Sequence, residues 1–240
     1  MNDRPVAIVT GAGRGIGRAL ALALAQDGYR TVLMARTREQ LESVAGDIAQ
    51  LGGAVPEPAV YALDIADQQA VREAAQSIVE RFGRVDVLVN NAGRWAAGIF
   101  DISPEEFRQL LAVNVAGALT LVQTVAPVMK RQGRGHIFNI ASRAGKVGFP
   151  EEGAYCASKF ALVGLSEALC KELAPQGIKV TSLCPAWVDT DMARQAGTPL
   201  PSAEMIQPDD LVKTVRWLLS LSPAACVREV LIECRHSLAS

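Results

Sequence analysis

Short runs of aliphatic and β-branched residues alternate along this chain with longer stretches in which apolar positions recur every three or four residues. The runs PVAIVT (5–10), RTVLMA (30–35), AVYALD (59–64), VDVLVN (85–90), GHIFNIA (135–141), IKVTSLC (178–184) and REVLIE (228–233) have the length and bulk of strands buried on both faces. Between them, sets such as Leu20 and Leu24, or Leu41, Val44 and Ile48, predict helices with one apolar face. Each intervening segment is long enough for a crossover, so the pattern predicts an α/β fold: a doubly wound parallel sheet of seven strands with helices on both faces. Two connections, roughly 103–131 and 153–175, are longer than the others. The Pro-rich segment GTPLPSAEMIQPDD (197–210) reads as a mobile loop within one domain spanning 1–240.

Composition narrows the function classes. The chain has 240 residues, half of them apolar, and its 24 Lys and Arg are balanced by 25 Asp and Glu, so no nucleic-acid footprint is present. No apolar run approaches the ~20 residues of a membrane span, and the start MNDRPVAIVTG lacks the features of a signal peptide; a cytoplasmic protein with no membrane partner is expected. Cys156, Cys170, Cys184, Cys226 and Cys234 form no C-x-x-C pair, and His136 and His236 lie far apart, which predicts reduced thiols and no metal.

The segment VAIVTGAGRGIGRALALALA sets a strand, a Gly-rich turn and an Ala/Leu helix in immediate succession. Gly11, Gly13, Gly15 and Gly17 allow a tight turn and close approach of backbone to a pyrophosphate, with N–H groups at the helix start, around Ile16, to bind it. Where such a fold meets the adenosine ribose, about twenty residues later, an acid would select NAD, whereas Ala35 and Arg36 stand here. Arg36, with Arg14 approaching from the glycine loop, favours NADPH; Arg36 and Arg38 as merely solvated charges is the competing reading. Thr37 and Gln40 are expected to form a capping box on the next helix.

With TGAGRGIG, NNAG at 90–93 and YCASK at 155–159 in order, the sequence resembles the short-chain dehydrogenases/reductases over essentially its whole length. The resemblance implies a single Rossmann domain, with a cofactor half at about 1–140 and a catalytic and substrate-loop half at about 141–240. It implies a catalytic tetrad of Asn114 in LAVNVAG, Ser142 in NIASRAG, Tyr155 and Lys159. It further places the adenine against Asp64 and Ile65, the cofactor along Asn91, Ala92 and Gly93, and the nicotinamide against Pro185, Val188 and Thr190, with Ala186 where the family has glycine. Within the family the pattern is similar to that of NADPH-dependent 3-oxoacyl carrier-protein reductases, although the carboxyl end VREVLIECRHSLAS departs from theirs.

In that setting Tyr155 would exchange a proton with the substrate oxygen, Ser142 would hold that oxygen, and Asn114 would retain a water on a proton path from Lys159. Free tyrosine titrates near 10; a value about three units lower, expected here from Lys159 one helical turn away together with the positive charge of oxidised nicotinamide, needs roughly 4 kcal/mol in favour of phenolate. Trp95, Ala96, Arg143, Phe149 and the 192–206 loop are candidate substrate-lining residues because they follow strand ends at the carboxyl edge. They suggest a small-molecule ketone, or one carried by an acyl carrier protein. The alternatives are an alcohol, sugar or steroid dehydrogenase, and a dinucleotide sensor without catalysis. The resemblance also implies a homodimer or homotetramer built on the two long helices; the stripe Leu110, Val113, Gly117 and Leu121 suits either that interface or an internal core.

Overall fold

A computed structural model of the protein describes residues 4–53 and 55–238; the extreme amino terminus and the His236 side chain, both weighed above, lie outside the described residues. All seven predicted strands form: β1 (Val6–Thr10), β2 (Arg30–Ala35), β3 (Ala59–Ala62), β4 (Val87–Asn90), β5 (Gly135–Ile140), β6 (Ile178–Pro185) and β7 (Glu229–Ile232). They join one parallel sheet in the order β3-β2-β1-β4-β5-β6-β7. The order reverses between β1 and β4, and a ligand crevice opens at the carboxyl ends on either side of such a reversal.

Successive strand residues serve opposite faces. Ala7 and Val9 of β1 join a core closed by α1 (Gly15–Gln26), α2 (Arg38–Gln50) and α8 (Pro208–Ser220), through Leu20, Leu24, Leu41, Ile48, Leu211 and Val215. Val6 and Ile8 join a second core under α3 (Gln68–Phe82), α5 (Gly117–Gln132) and α6 (Gly153–Leu173), through Val71, Ala75, Leu121, Val125 and Cys170. This two-sided burial is why the strands read as unbroken apolar runs.

The long central helix comprises α4 (Pro104–Leu111), a π-helical stretch at Ala112–Ala116, and α5. Ser103 and Glu106 form a reciprocal cap at its start. The sequence reading found no apolar run able to span a membrane, yet Pro104–Gln132 is long and apolar enough to do so; half of its most apolar window is packed inside the fold, as in the core helix of a globular protein. Leu110 and Leu121 are fully buried and Gly117 closes on Ile65, so the stripe considered for oligomerisation is internal core.

Two local expectations are corrected. Thr37 does precede α2 as its N-cap, but its side chain makes no capping hydrogen bond; Gln40 instead packs against Gly13, where a β-carbon would come within 2.9 Å of Gln40 Cβ. The 197–210 segment is anchored as well: Ile206 bridges to Val188, its N–H donates to Trp187 O at 2.9 Å, and Asp189 N–H donates to Ile206 O at 2.8 Å. A short helix, α7 (Asp191–Gln195), precedes this segment and was not foreseen.

Candidate active site

The glycine loop is shaped by contacts that exclude side chains. Gly11 and Gly15 take φ of 62° and 54°, and a β-carbon on Gly17 would lie 2.2 Å from Gly11 O and 2.5 Å from Asn91 Nδ2. The loop is latched to the end of β4. Thr10 Oγ1 accepts from the N–H groups of Asn91 and Ala92, both at 2.9 Å, and Asn91 Nδ2 donates to Thr10 O at 2.9 Å. Two strand ends flanking the order reversal are thereby fixed to each other.

A cleft of about 510 Å³ opens at this edge. Its wall brings together Gly11, Arg14, Gly15 and Ile16, then Asn91, Ala92, Gly93 and Trp95, then Ser142, Arg143, Phe149, Tyr155 and Lys159, and finally Pro185, Val188 and Thr190. Gly13, Gly17, Arg36, Asp64, Ile65, Ala96 and Asn114 stand outside this wall. Gly17 supports the loop from behind. Arg36 is exposed at the end of β2, and Asp64 follows β3, its carboxylate accepting from Ala66 N–H at 2.9 Å.

The chemical end of the cleft is built by three elements. The chain leaves β5 at Ser142, which caps a short turn by accepting from Ala144 N–H at 3.1 Å. Tyr155 and Lys159 lie one turn apart on α6, and both are buried. Tyr155 and Ser142 line the same stretch of the cleft wall. Lys159 Nζ donates to Ile140 O at 3.0 Å and sits 5.7 Å from the centre of the Tyr155 ring. Asn114, in the π-helical stretch, accepts from Arg94 N–H at 2.8 Å and donates to Arg94 O and Ser158 Oγ, both at 2.9 Å. A β-carbon on Gly93 would stand 3.5 Å from Asn114 Oδ1 and 3.6 Å from Lys159 Nζ, so both groups face that glycine.

Burial opposes the charged forms of both groups. Burial pushes the Tyr155 phenol up to about 12; the neighbouring Ser142 hydroxyl acts downward, and Glu152 and Cys156 act upward. Burial also pushes Lys159 down to about 8. Desolvation penalises the charged form of each group, and the ammonium spends a donor on Ile140 O, so the phenol keeps its proton.

The substrate end departs from the sequence reading in detail. Arg143 does line the cleft, but its guanidinium is held by Glu233 at 3.0 Å and lies 4.9 Å from the centre of the Phe149 ring. Glu152, half-buried, and Trp187 also line the cleft and were missed. Glu152 stands three residues before Tyr155, hence on the same helical side, a spacing that could have found it. Its carboxyl is raised by burial and lies near the Trp95 indole, whose Nε1–H is otherwise buried without a hydrogen-bond partner among the described residues. Ala186 carries no positive φ, since Glu151 at 62° is the one described non-glycine residue there, so alanine fits the place where the family has glycine.

The residues present fit a dinucleotide. A loop with glycines at 11, 13 and 15 opens onto the start of a twelve-residue helix, Arg14 stands half-exposed within it, and the cleft continues to the buried Tyr155 and Lys159.

Residues 5–200 match the family described as short chain dehydrogenase. The chain is 36% identical over 228 residues to D-threitol dehydrogenase of Mycolicibacterium smegmatis, covering 91% of this chain and 86% of that one. Among solved structures, a betaketoacyl-[ACP] reductase from Bacteroides thetaiotaomicron superimposes with a TM-score of 0.88 at 43% identity, covering 99% of both chains. A metagenomic short-chain oxidoreductase in complex with NADP gives a TM-score of 0.83 at 36% identity, covering 95% of this chain and 96% of that one.

Proposed function

The chain belongs to the short-chain dehydrogenase family, and from that membership we propose that it is an NADPH-dependent oxidoreductase that reduces a ketone to a secondary alcohol. The observation that carries this reading is the convergence of Ser142, Tyr155 and Lys159 in one cleft that ends at the glycine loop. When bound, the nicotinamide supplies the hydride. Gly11, Gly15, Ile16 and the start of α1 hold the pyrophosphate, Arg14 and Arg36 the 2′-phosphate, Asp64 and Ile65 the adenine, and Val188 and Thr190 the carboxamide.

Ser142 and Tyr155 donate hydrogen bonds to the substrate oxygen and fix it at the hydride-receiving end of the cleft. With its pKa held high, Tyr155 retains its proton at neutral pH and delivers it when negative charge develops on that oxygen. Lys159, still mostly charged at pH 7, stabilises the phenolate left behind. Asn114 holds the turn at Arg94 and thereby the Gly93 edge against which Lys159 rests. NADPH over NADH is supported by the exposed arginines at the ends of β1 and β2 and by the NADP complex of the similar oxidoreductase.

The relatives include enzymes named for a polyol and for a carrier-protein-bound oxoacyl chain. The cleft supports a free small molecule: Glu152 and the partnerless indole of Trp95 offer an acceptor and a donor beside the reacting centre. Phe160 on α6, Trp217 on α8 and Leu231 on β7 are about half exposed and support assembly of more than one chain. The reading is tested by following NADPH and NADH oxidation against a panel of hydroxyketones, simple ketones and oxoacyl thioesters, with the reverse reaction on the matching alcohols. Turnover with NADPH is expected; tight NADPH binding without turnover on any of them would indicate a sensor.

A further inference from the structure

Two of the five cysteines meet outside the active site. Cys170 is buried on α6, Cys226 is exposed in the segment leading into β7, and their sulfurs are 3.5 Å apart across 56 positions of sequence. A disulfide holds its sulfurs about 2 Å apart, so closure needs a movement of roughly 1.5 Å, within reach of side-chain rotation and a small backbone shift. β7 invites such a tie. It is a four-residue edge strand whose exposure alternates along its length, and it is bracketed to the loop after Ser142 by Lys146–Glu229 at 2.9 Å and Arg143–Glu233 at 3.0 Å.

We propose that Cys170 and Cys226 form a reversible thiol–disulfide pair, closed by peroxide and reopened by a dithiol, that ties the helix bearing Tyr155 and Lys159 to the edge strand. Cys226, being exposed, meets the oxidant first. Its thiolate attacks one peroxide oxygen; the O–O bond breaks, sulfenic acid forms at Cys226, and the departing hydroxide takes a proton to become water. The Cys170 sulfur then attacks the Cys226 sulfur. The S–S bond forms, the S–O bond breaks, and the second hydroxide leaves as water with the Cys170 proton. Two thiols are oxidised by two electrons, and one peroxide is reduced to two waters. The buried Cys170 thiol, its pKa raised by burial, suits the resolving role.

The test is peroxide treatment of the folded protein, alkylation of the remaining thiols, and tryptic digestion without reductant. Peptides 160–171 and 217–228 each contain a single cysteine, Cys170 and Cys226. Their recovery as one linked species that dithiothreitol separates is the expected result, with an unfolding temperature raised by a few degrees in the oxidised wild type and unchanged in peroxide-treated Cys226→Ser. Linkage of Cys226 to a second chain, over-oxidation of Cys226 with Cys170 still alkylatable on unfolding, or a linked protein of unaltered unfolding temperature would each overturn the proposal.

Discussion

At the scale of single residues, the site is a contest between burial and charge. Tyr155 is held near 12 and Lys159 near 8, so the group that titrates first as pH rises is the lysine. Its ammonium is present below pH 8 and is lost as the pH climbs through that value, while the phenol still carries its proton. The kcat/KM for ketone reduction is therefore expected to fall on an alkaline limb near pH 8; a limb near 10 or above would assign it elsewhere. Arg36 governs another contact. Arg36→Asp replaces a phosphate partner with a charge that repels it and accepts from a ribose hydroxyl, so the ratio of kcat/KM for NADPH over NADH should drop at least tenfold. Sequence spacing located Tyr155, Lys159 and Ser142 because i,i+4 geometry is fixed by the helix. The opposing cost of burial at the phenol was not legible, because desolvation depends on how α6 packs against the 140–145 segment, which spacing does not encode.

At the scale of elements, close backbone approach matters more than helix or strand propensity. Gly17 sits against Gly11 O and Asn91, where a methyl group would force the loop off the end of β4. Gly17→Ala is expected to weaken NADPH binding more than tenfold in a fluorescence titration, with far-ultraviolet circular dichroism little changed. The strands and most helices were legible, because two-sided burial writes continuous apolar runs and one-sided burial writes a helical period. The π-helical stretch at Ala112–Ala116 was not legible: AVNVA reads as ordinary helix, and the turn is set by Asn114 clamping the Arg94 backbone from another element. The anchoring of Ile206 escaped for the same reason, since it depends on the Val188–Ile206 bridge. The expected capping box did not form: Thr37 makes no side-chain capping bond, and Gln40 packs against Gly13.

At the scale of the whole molecule, the sheet joins distant sequence into one edge, and its stability carries a pH signature of its own. His136 lies buried between β4 and β6, stacked on Phe138 at 3.9 Å between ring centres, and burial pushes its pKa down to about 3. Thr181 Oγ1 donates to Val227 O at 2.7 Å, so it accepts from His136 Nε2–H at 2.9 Å and the ring is neutral. The unfolded chain binds this proton below about 6.5 and the folded one not until about 3. Stability is therefore lost as pH falls through that window, by up to about 5 kcal/mol. His136→Gln keeps a donor for Thr181 without titrating, and should move the midpoint of acid unfolding, followed by circular dichroism, to lower pH. The central claim concerns the proton that completes reduction at the carboxyl edge of that sheet. It is tested most directly by measuring NADPH binding and ketone turnover side by side in Tyr155→Phe. NADPH affinity is expected to stay within a few-fold of wild type while turnover drops at least a hundredfold; turnover close to wild type would contradict the assignment of Tyr155 as the proton donor.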